Sequence, residues 1–293
     1  MKKLLFLGIL ALSMASCGSS DEDEPTFSYN PIVAPENENQ LLDVAYGDDP
    51  EQKMDLFLPA GREANVTKVF ILIHGGGWFS GDKAAMNNEI IFLRNTFPDY
   101  AIANVNYRLA TKESLGFPKQ INDIQKIVAY LNSKNKEYHL AKQYAMIGVS
   151  AGAHLAMLYS YKYNSGNQVK AVCSIVGPAD FSDPQYEGNP LFEQGVNYLV
   201  GEYSRYNENP SMYNAVSPVK QITPYSPKTL MFYGDQDPLV PSTQGGLIQD
   251  KLDLYGVYNE YYQYEGAGHA NWTQEQLNDI NLKKVNFFTN YFK

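Results

Sequence analysis

Gly148-Val149-Ser150-Ala151-Gly152, within "MIGVSAGAHLA", sets a serine hydroxyl two residues from a glycine on either side. That spacing suits a tight strand-to-helix turn that pushes Oγ into a cleft, where the first N–H groups of the following helix favour negative charge. A serine is a weak nucleophile until a base takes its proton, which turns attention to the four histidines, His74, His139, His154 and His269. His269, in "EGAGHANW", follows the final strand-like run and is flanked by small residues that leave its loop free to lean over Ser150. It is the expected base. His154, four residues past Ser150, sits where its ring runs along the helix and reads as packed and hydrogen-bonded. His139, in "NKEYHL", reads as solvated or capping, and His74 as ordering the loop that it opens. The imidazole needs a carboxylate to fix its tautomer and stabilise its charged form. Asp235 and Asp237, in "MFYGDQDPLVP", both satisfy the chain order Ser, acid, His. Asp237 is favoured because Gly234-Asp235-Gln236 can form the turn; Asp235 is the alternative, and Asp180, in "GPADFSD", reads more as a loop or cap residue.

A second glycine cluster lies upstream in "FILIHGGGWFSGDK". Gly75-Gly76-Gly77-Trp78 matches neither G-x-G-x-x-G nor G-x-x-x-x-G-K-[ST], so a phosphate cradle is not expected. The other use of bare backbone after a strand is to aim N–H groups at the oxyanion of an acyl-transfer intermediate. Gly76 and Gly77, with Ala151 after the serine, are the expected donors, and Trp78 is expected to wall the pocket unless it belongs to the core.

Elements that could position these groups follow from periodicity. Strand-like runs fall at 53–59, 68–73, 100–107, 143–149, 170–177, 229–234 and 257–264. Between them, Ile121, Ile124, Val128 and Leu131 recur at helical spacing, as do Leu247, Ile248 and Leu252. A last helix opens with Thr273 and Gln276 spaced as a capping box and continues through Leu277, Ile280 and Phe287. The alternation predicts an α/β fold with a mostly parallel sheet covered on both faces, and a site at the carboxyl ends of its strands. Residues 178–227, rich in Pro, Asn, Tyr and Ser around the amphipathic "FEQGVNYLVG", read as an insertion, either lying over the strand ends or excursing away from them.

The 293 residues suit one catalytic domain over 41–293. Residues 1–16, "MKKLLFLGILALSMAS", have the charged start, apolar stretch and small residues of a secretory signal. "MASC" is similar to a bacterial lipobox with Met14 in place of the usual leucine, which makes Cys17 the expected lipidation site. The acidic "GSSDEDEP" then begins a solvated tether over 17–40, and resembles the signal that sends some Gram-negative lipoproteins to the outer cell surface; an ordinary acidic linker is the alternative. Loss of Lys2 and Lys3 with the signal leaves 21 basic against 32 acidic residues, or −11. Such a surface repels nucleic acid and favours a neutral substrate, with membrane contact only through the lipid. Cys173, in the apolar "VKAVCSIVG", is expected to be inert core.

With "VNYRLA", "FPKQINDI", "GVSAGAHLA", "YGDQDPLVP" and "GAGH" all present, residues 41–293 resemble the α/β-hydrolase superfamily, and within it the esterases that carry HGGGW and GxSAG motifs. The chain looks closest to the carbohydrate-esterase-like branch, which includes acetyl-xylan and feruloyl esterases, and less close to hormone-sensitive-lipase-like esterases. The resemblance implies a Ser-His-Asp hydrolase that forms an acyl-enzyme without metal or organic cofactor. "GAGHANW" lacks the bulky residues often found beside the histidine in relatives, so the resemblance carries over no acyl pocket. The expected substrates are short or aromatic acyl esters on plant glycans, as small molecules or oligosaccharides. Tyr186, Tyr198, Tyr203, Tyr206 and Tyr213 of the insertion could stack on sugar faces or simply pack it down. An arylformamidase-like or general lipolytic esterase is the alternative. A non-catalytic binding protein on the same fold is disfavoured by the presence of all three triad residues.

Overall fold

The computed structural model describes residues 35–201 and 208–293. Runs of apolar and β-branched residues form β2 (Lys53–Leu58), β3 (Val69–Ile73), β4 (Ala101–Val105), β5 (Tyr144–Val149), β6 (Val169–Ile175), β7 (Lys228–Gly234) and β8 (Asn259–Tyr264), preceded by β1 (Asn39–Ala45). They make one sheet in the order β1-β2-β4-β3-β5-β6-β7-β8. The β1–β2 and β2–β4 pairs are antiparallel and every other pair is parallel. All residues of β3 and β4 are buried, as strands covered on both faces require.

β1 corrects the boundary read from sequence, because it begins at Asn39, inside the stretch assigned to the tether. Most of its side chains are exposed, so no apolar run marks it. Its backbone pairing with β2, Asn39 opposite Leu58, is what makes it a strand. Phe57 in turn pairs with Ile102 near the start of β4, so the chain enters the sheet at the amino ends of the parallel strands.

Seven α-helices lie among the described residues: α1 (Asn87–Thr96), α2 (Lys119–Ser133), α3 (Ala151–Leu158), α4 (Pro190–Val200), α5 (Pro210–Val216), α6 (Thr243–Leu254) and α7 (Gln274–Tyr291). Successive side chains of a strand point to opposite faces. Val69, Ile71 and Ile73 therefore lie in one core layer with Ile121, Ile124 and Leu131 of α2 and with Ile248 and Leu252 of α6. Phe70 and Leu72 pack with Ile90 and Leu93 of α1 and with Ile280, Phe287 and Phe288 of α7. Cys173 is fully buried in this second layer, and burial pushes its thiol pKa up.

Thr273 and Gln276 make the reciprocal bonds of a capping box. The apolar stripe expected beyond them is only partly right, since Leu277 is 40% exposed while Lys284 is 2% exposed. Lys284 replaces apolar packing with an ion pair to Glu89 at 2.6 Å, and its ammonium lies 4.4 Å from the Phe92 ring centroid. Among the described residues, no helix is long and apolar enough to cross a membrane.

Candidate active site

The register of the parallel strands gathers the glycine motifs. Ile73 pairs with Gly148, so the "HGGGW" loop leaving β3 lies beside the serine turn leaving β5. Ser150 caps α3 with φ 53° and ψ −120°, a strained conformation for a residue with a side chain. The turn closes because Gly148 and Gly152 lack side chains: a Cβ on Gly148 would strike the Gly152 carbonyl, and one on Gly152 would strike the Ile73 and His74 carbonyls. The Ser150 N–H donates to the Ile175 carbonyl at 2.8 Å, which fixes the turn against β6.

β7 and β8 supply the other two groups. Gly234 pairs with Tyr264, so the loops that follow these strands run together. His269 Nδ1 lies 2.7 Å from Asp237 Oδ2, and Nε2 lies 2.9 Å from Ser150 Oγ. A carboxylate only accepts, so Nδ1 carries the hydrogen and Nε2 is left to accept from the serine hydroxyl. The Asp237 side chain is fully buried, and its other oxygen accepts from the Leu239 and Val240 N–H groups at 2.8 and 2.9 Å. Asp235 turns away and staples the two loops by accepting from the Gly266 N–H at 2.7 Å. Asp180 accepts from the Ser182 N–H and pairs with Lys220, consistent with a loop residue.

Gly76 and Gly77 hold φ of 115° and 58°, values in the region that favours glycine. The Gly76 carbonyl accepts from the Phe79 and Ser80 N–H groups, closing a tight turn. Among the described residues the Gly76 and Gly77 N–H groups meet no acceptor. Ala151 is the first residue of α3, where an N–H has no partner within the helix. His74 orders the loop from beneath, with Nδ1 at 2.6 Å from the Gly75 carbonyl and its ring stacked 4.4 Å from that of Tyr107. Burial lowers its pKa, which the Gly75 bond only partly offsets.

Trp78 is both wall and core: it lines the cavity beside Ser150 yet is 4% exposed. Its indole N–H donates to His154 Nδ1 at 3.0 Å. His154 is fully buried, and burial lowers its pKa to about 4. The cavity holds about 190 Å³. Trp78, Phe79, Leu191, Phe192, Leu239 and Val240 give it mainly apolar walls. Leu191 and Phe192 belong to α4, so the insertion does cover the strand ends. Of these walls the sequence reading names Trp78 alone; for Leu191 and Phe192 the visible sign is the amphipathic "FEQGVNYLVG", and Leu239 and Val240 had none. Of the two roles left open for the insertion's tyrosines, packing is the one seen at the buried pair. Tyr186 and Tyr213 are buried, Tyr186 stacks on Phe192 at 3.5 Å, and Tyr198 stacks on Phe79 at 4.4 Å. Tyr203 and Tyr206 lie outside the described residues.

The family model described as BD-FAE matches residues 54–252, a span that includes Ser150 and Asp237. The chain belongs to the BD-FAE family. This BD-FAE chain is 24% identical over 240 residues to Esterase LipC of Mycobacterium tuberculosis, an alignment covering 78% of the chain and 59% of that protein. It therefore spans about three fifths of that relative's length. Among solved structures, the bifunctional GH43-CE of Bacteroides eggerthii superposes with a TM-score of 0.72 at 23% identity, over 86% of this chain and 38% of that one. A truncated carbohydrate esterase from gut microbiota gives 0.68 at 19% identity, over 86% and 99%. The BD-FAE chain thus has the α/β-hydrolase fold that its strand order and helices describe.

Proposed function

We propose that the chain is a serine carboxylic ester hydrolase that removes short or aromatic acyl groups from plant glycans. The observation that carries this is the continuous hydrogen-bonded row Ser150–His269–Asp237 at the strand ends. Ser150 Oγ attacks the ester carbonyl carbon as its proton passes to His269 Nε2. The Gly76, Gly77 and Ala151 N–H groups hold the resulting oxyanion. His269 then protonates the departing alcohol oxygen, leaving an acyl group on Ser150. Water attacks that ester in turn, giving a proton to His269, and the carboxylic acid leaves as the proton returns to Ser150. Asp237 keeps the imidazole oriented and stabilises it while it is charged. The family assignment and the esterase relatives support the reaction class.

For the acyl group, support comes from the cavity. Its 190 Å³ equals roughly six water volumes at about 30 Å³ each, room for a short chain or one flat ring against Trp78 and Phe79. For the alcohol side, support comes from the structural likeness to a carbohydrate esterase of gut microbiota, and the acidic surface disfavours polyanions. Lipidation at Cys17 and display on the outer membrane complete the reading; residues 1–34 lie outside those described.

The test is a panel of p-nitrophenyl acetate, butyrate and octanoate with methyl ferulate, acetylated xylan and an arylformamide. The expected result is a steep fall in kcat/KM towards octanoate, since each methylene that does not fit costs about 1–3 kcal/mol, and release of acetate or ferulate from the plant substrates. Flat or rising activity with chain length, with no release from xylan, would leave a general lipolytic esterase; hydrolysis of an arylformamide alone would change the bond.

A further inference from the structure

We infer that His154 is a positioning residue for the oxyanion loop, coupling Trp78 to the 178–227 insertion; the inference rests on the esterase reading above. Trp78 directly follows Gly77 and holds a φ of 69°, a left-handed conformation that a bulky residue keeps only when its surroundings hold it. Three hydrogen bonds do so. Its carbonyl accepts from the Ala110 N–H at 2.9 Å and from Gln120 Nε2 at 2.6 Å. Its indole N–H donates to His154 Nδ1 at 3.0 Å.

The chemistry of the partners fixes the state of His154. An indole nitrogen only donates, so Nδ1 must be bare. On the far side Nε2 lies 2.8 Å from the Val216 carbonyl, which only accepts, so Nε2 must carry the hydrogen. One neutral tautomer satisfies both bonds, and burial keeps the ring neutral down to about pH 4.

Both ends of this relay reach the insertion. Val216 is the last residue of α5. The six-membered edge of Trp78 presses on Gly195 of α4, where a Cβ would lie 2.9 Å from Trp78 Cζ3. Phe181 packs against both rings, 5.0 Å from His154 and 5.8 Å from Trp78. The segment that walls the pocket is thereby tied, through one imidazole, to the residue that follows the oxyanion glycines. A packing role alone would make His154 matter for stability. A positioning role makes it matter for kcat in molecules that are fully folded.

The experiment uses the full chain and p-nitrophenyl acetate, with Trp78→Phe, His154→Leu and His154→Gln, whose amide can accept from the indole and donate to Val216. At a temperature where circular dichroism shows them folded, Trp78→Phe and His154→Leu should lose kcat by about tenfold to a hundredfold, less than removal of a whole oxyanion donor, with KM within about twofold. His154→Gln should recover most of the loss. Unchanged kcat in the folded variants, or a rise in KM alone, overturns the inference. If the apolar variants do not fold, nitrogen NMR of the wild-type imidazole decides: bare Nδ1 and protonated Nε2 from about pH 5.5 to 8 supports the relay, and titration or the other tautomer in that range overturns it. An inert wild type overturns the esterase reading and this inference with it, whereas an active wild type with fully active variants overturns this inference alone.

Discussion

Ser150, His269 and Asp237 share two hydrogen bonds, so on the proposed mechanism losing any one disables the proton path that the others need. Ser150→Ala, His269→Ala and Asp237→Asn should each lower kcat by roughly four to six orders of magnitude, and a double variant should lose little more. Asp235→Asn removes only charge from a loop staple to Gly266. It should stay within a few-fold of wild type; if Asp235→Asn is the variant that collapses while Asp237→Asn survives, the acid is misassigned. The buried imidazole of His154 gives a second, pH-linked expectation. Its pKa falls from 6.5 in the unfolded chain to about 4 in the fold, so between those values the unfolded state binds a proton that the native state refuses. Its contribution to stability is present above pH 6.5 and is lost as pH falls towards 4, by about 3 kcal/mol at most. His74 is shifted in the same direction by burial and steepens the same limb. Urea midpoints between pH 7 and pH 4.5 should drop less for His154→Gln than for wild type.

Helix α4 sets the size of the pocket from outside the sheet. Leu191 lines the cavity yet is 62% exposed, so little packing depends on it. Leu191→Ala should leave the unfolding temperature nearly unchanged and raise octanoate relative to acetate turnover by roughly tenfold, about what one or two newly accommodated methylenes are worth. An unchanged chain-length profile would place the acyl group elsewhere. The sequence displays some of this element-level design and hides the rest for physical reasons. Gly148 and Gly152 were legible because the tight turn excludes any Cβ there. Buried β3 and β5 were legible as apolar runs, and α2 by its 3.6-residue stripe. β1 was not, since a mostly exposed edge strand is defined by backbone pairing that leaves no hydrophobic pattern. Lys284 hid the inner face of α7 because its partner Glu89 lies 195 residues away. Leu191 and Leu239 hid for the same reason, since they line one cavity only after the insertion folds back. The placement of Asp237 rather than Asp235 beside His269 was legible as turn geometry, and the bonds from Leu239 and Val240 supply what the spacing alone did not.

On the scale of the whole molecule, the Glu89–Lys284 pair joins α1 to α7 beneath one face of the sheet. Glu89→Gln would leave a nearly buried ammonium without its counter-charge and should cost about 3–5 kcal/mol, whereas the paired change Glu89→Leu with Lys284→Met should recover most of that; denaturant titration of the three proteins checks it. The proposed anchor is tested in cells. Cys17→Ala should convert a membrane-bound enzyme into a freely released one, and protease added to intact cells should liberate the catalytic domain from wild type. A pool that is already free, and indifferent to Cys17→Ala, would sink the anchor. If the anchor holds, the path of β1 has a consequence for orientation. The chain joins the sheet at the amino ends of the parallel strands, and Ser150, Asp237 and His269 follow their carboxyl ends. On that reading, any tether that precedes Asn39 would join the sheet at the end opposite Ser150, so the attachment point would not compete with the proposed polymeric substrate for the pocket mouth.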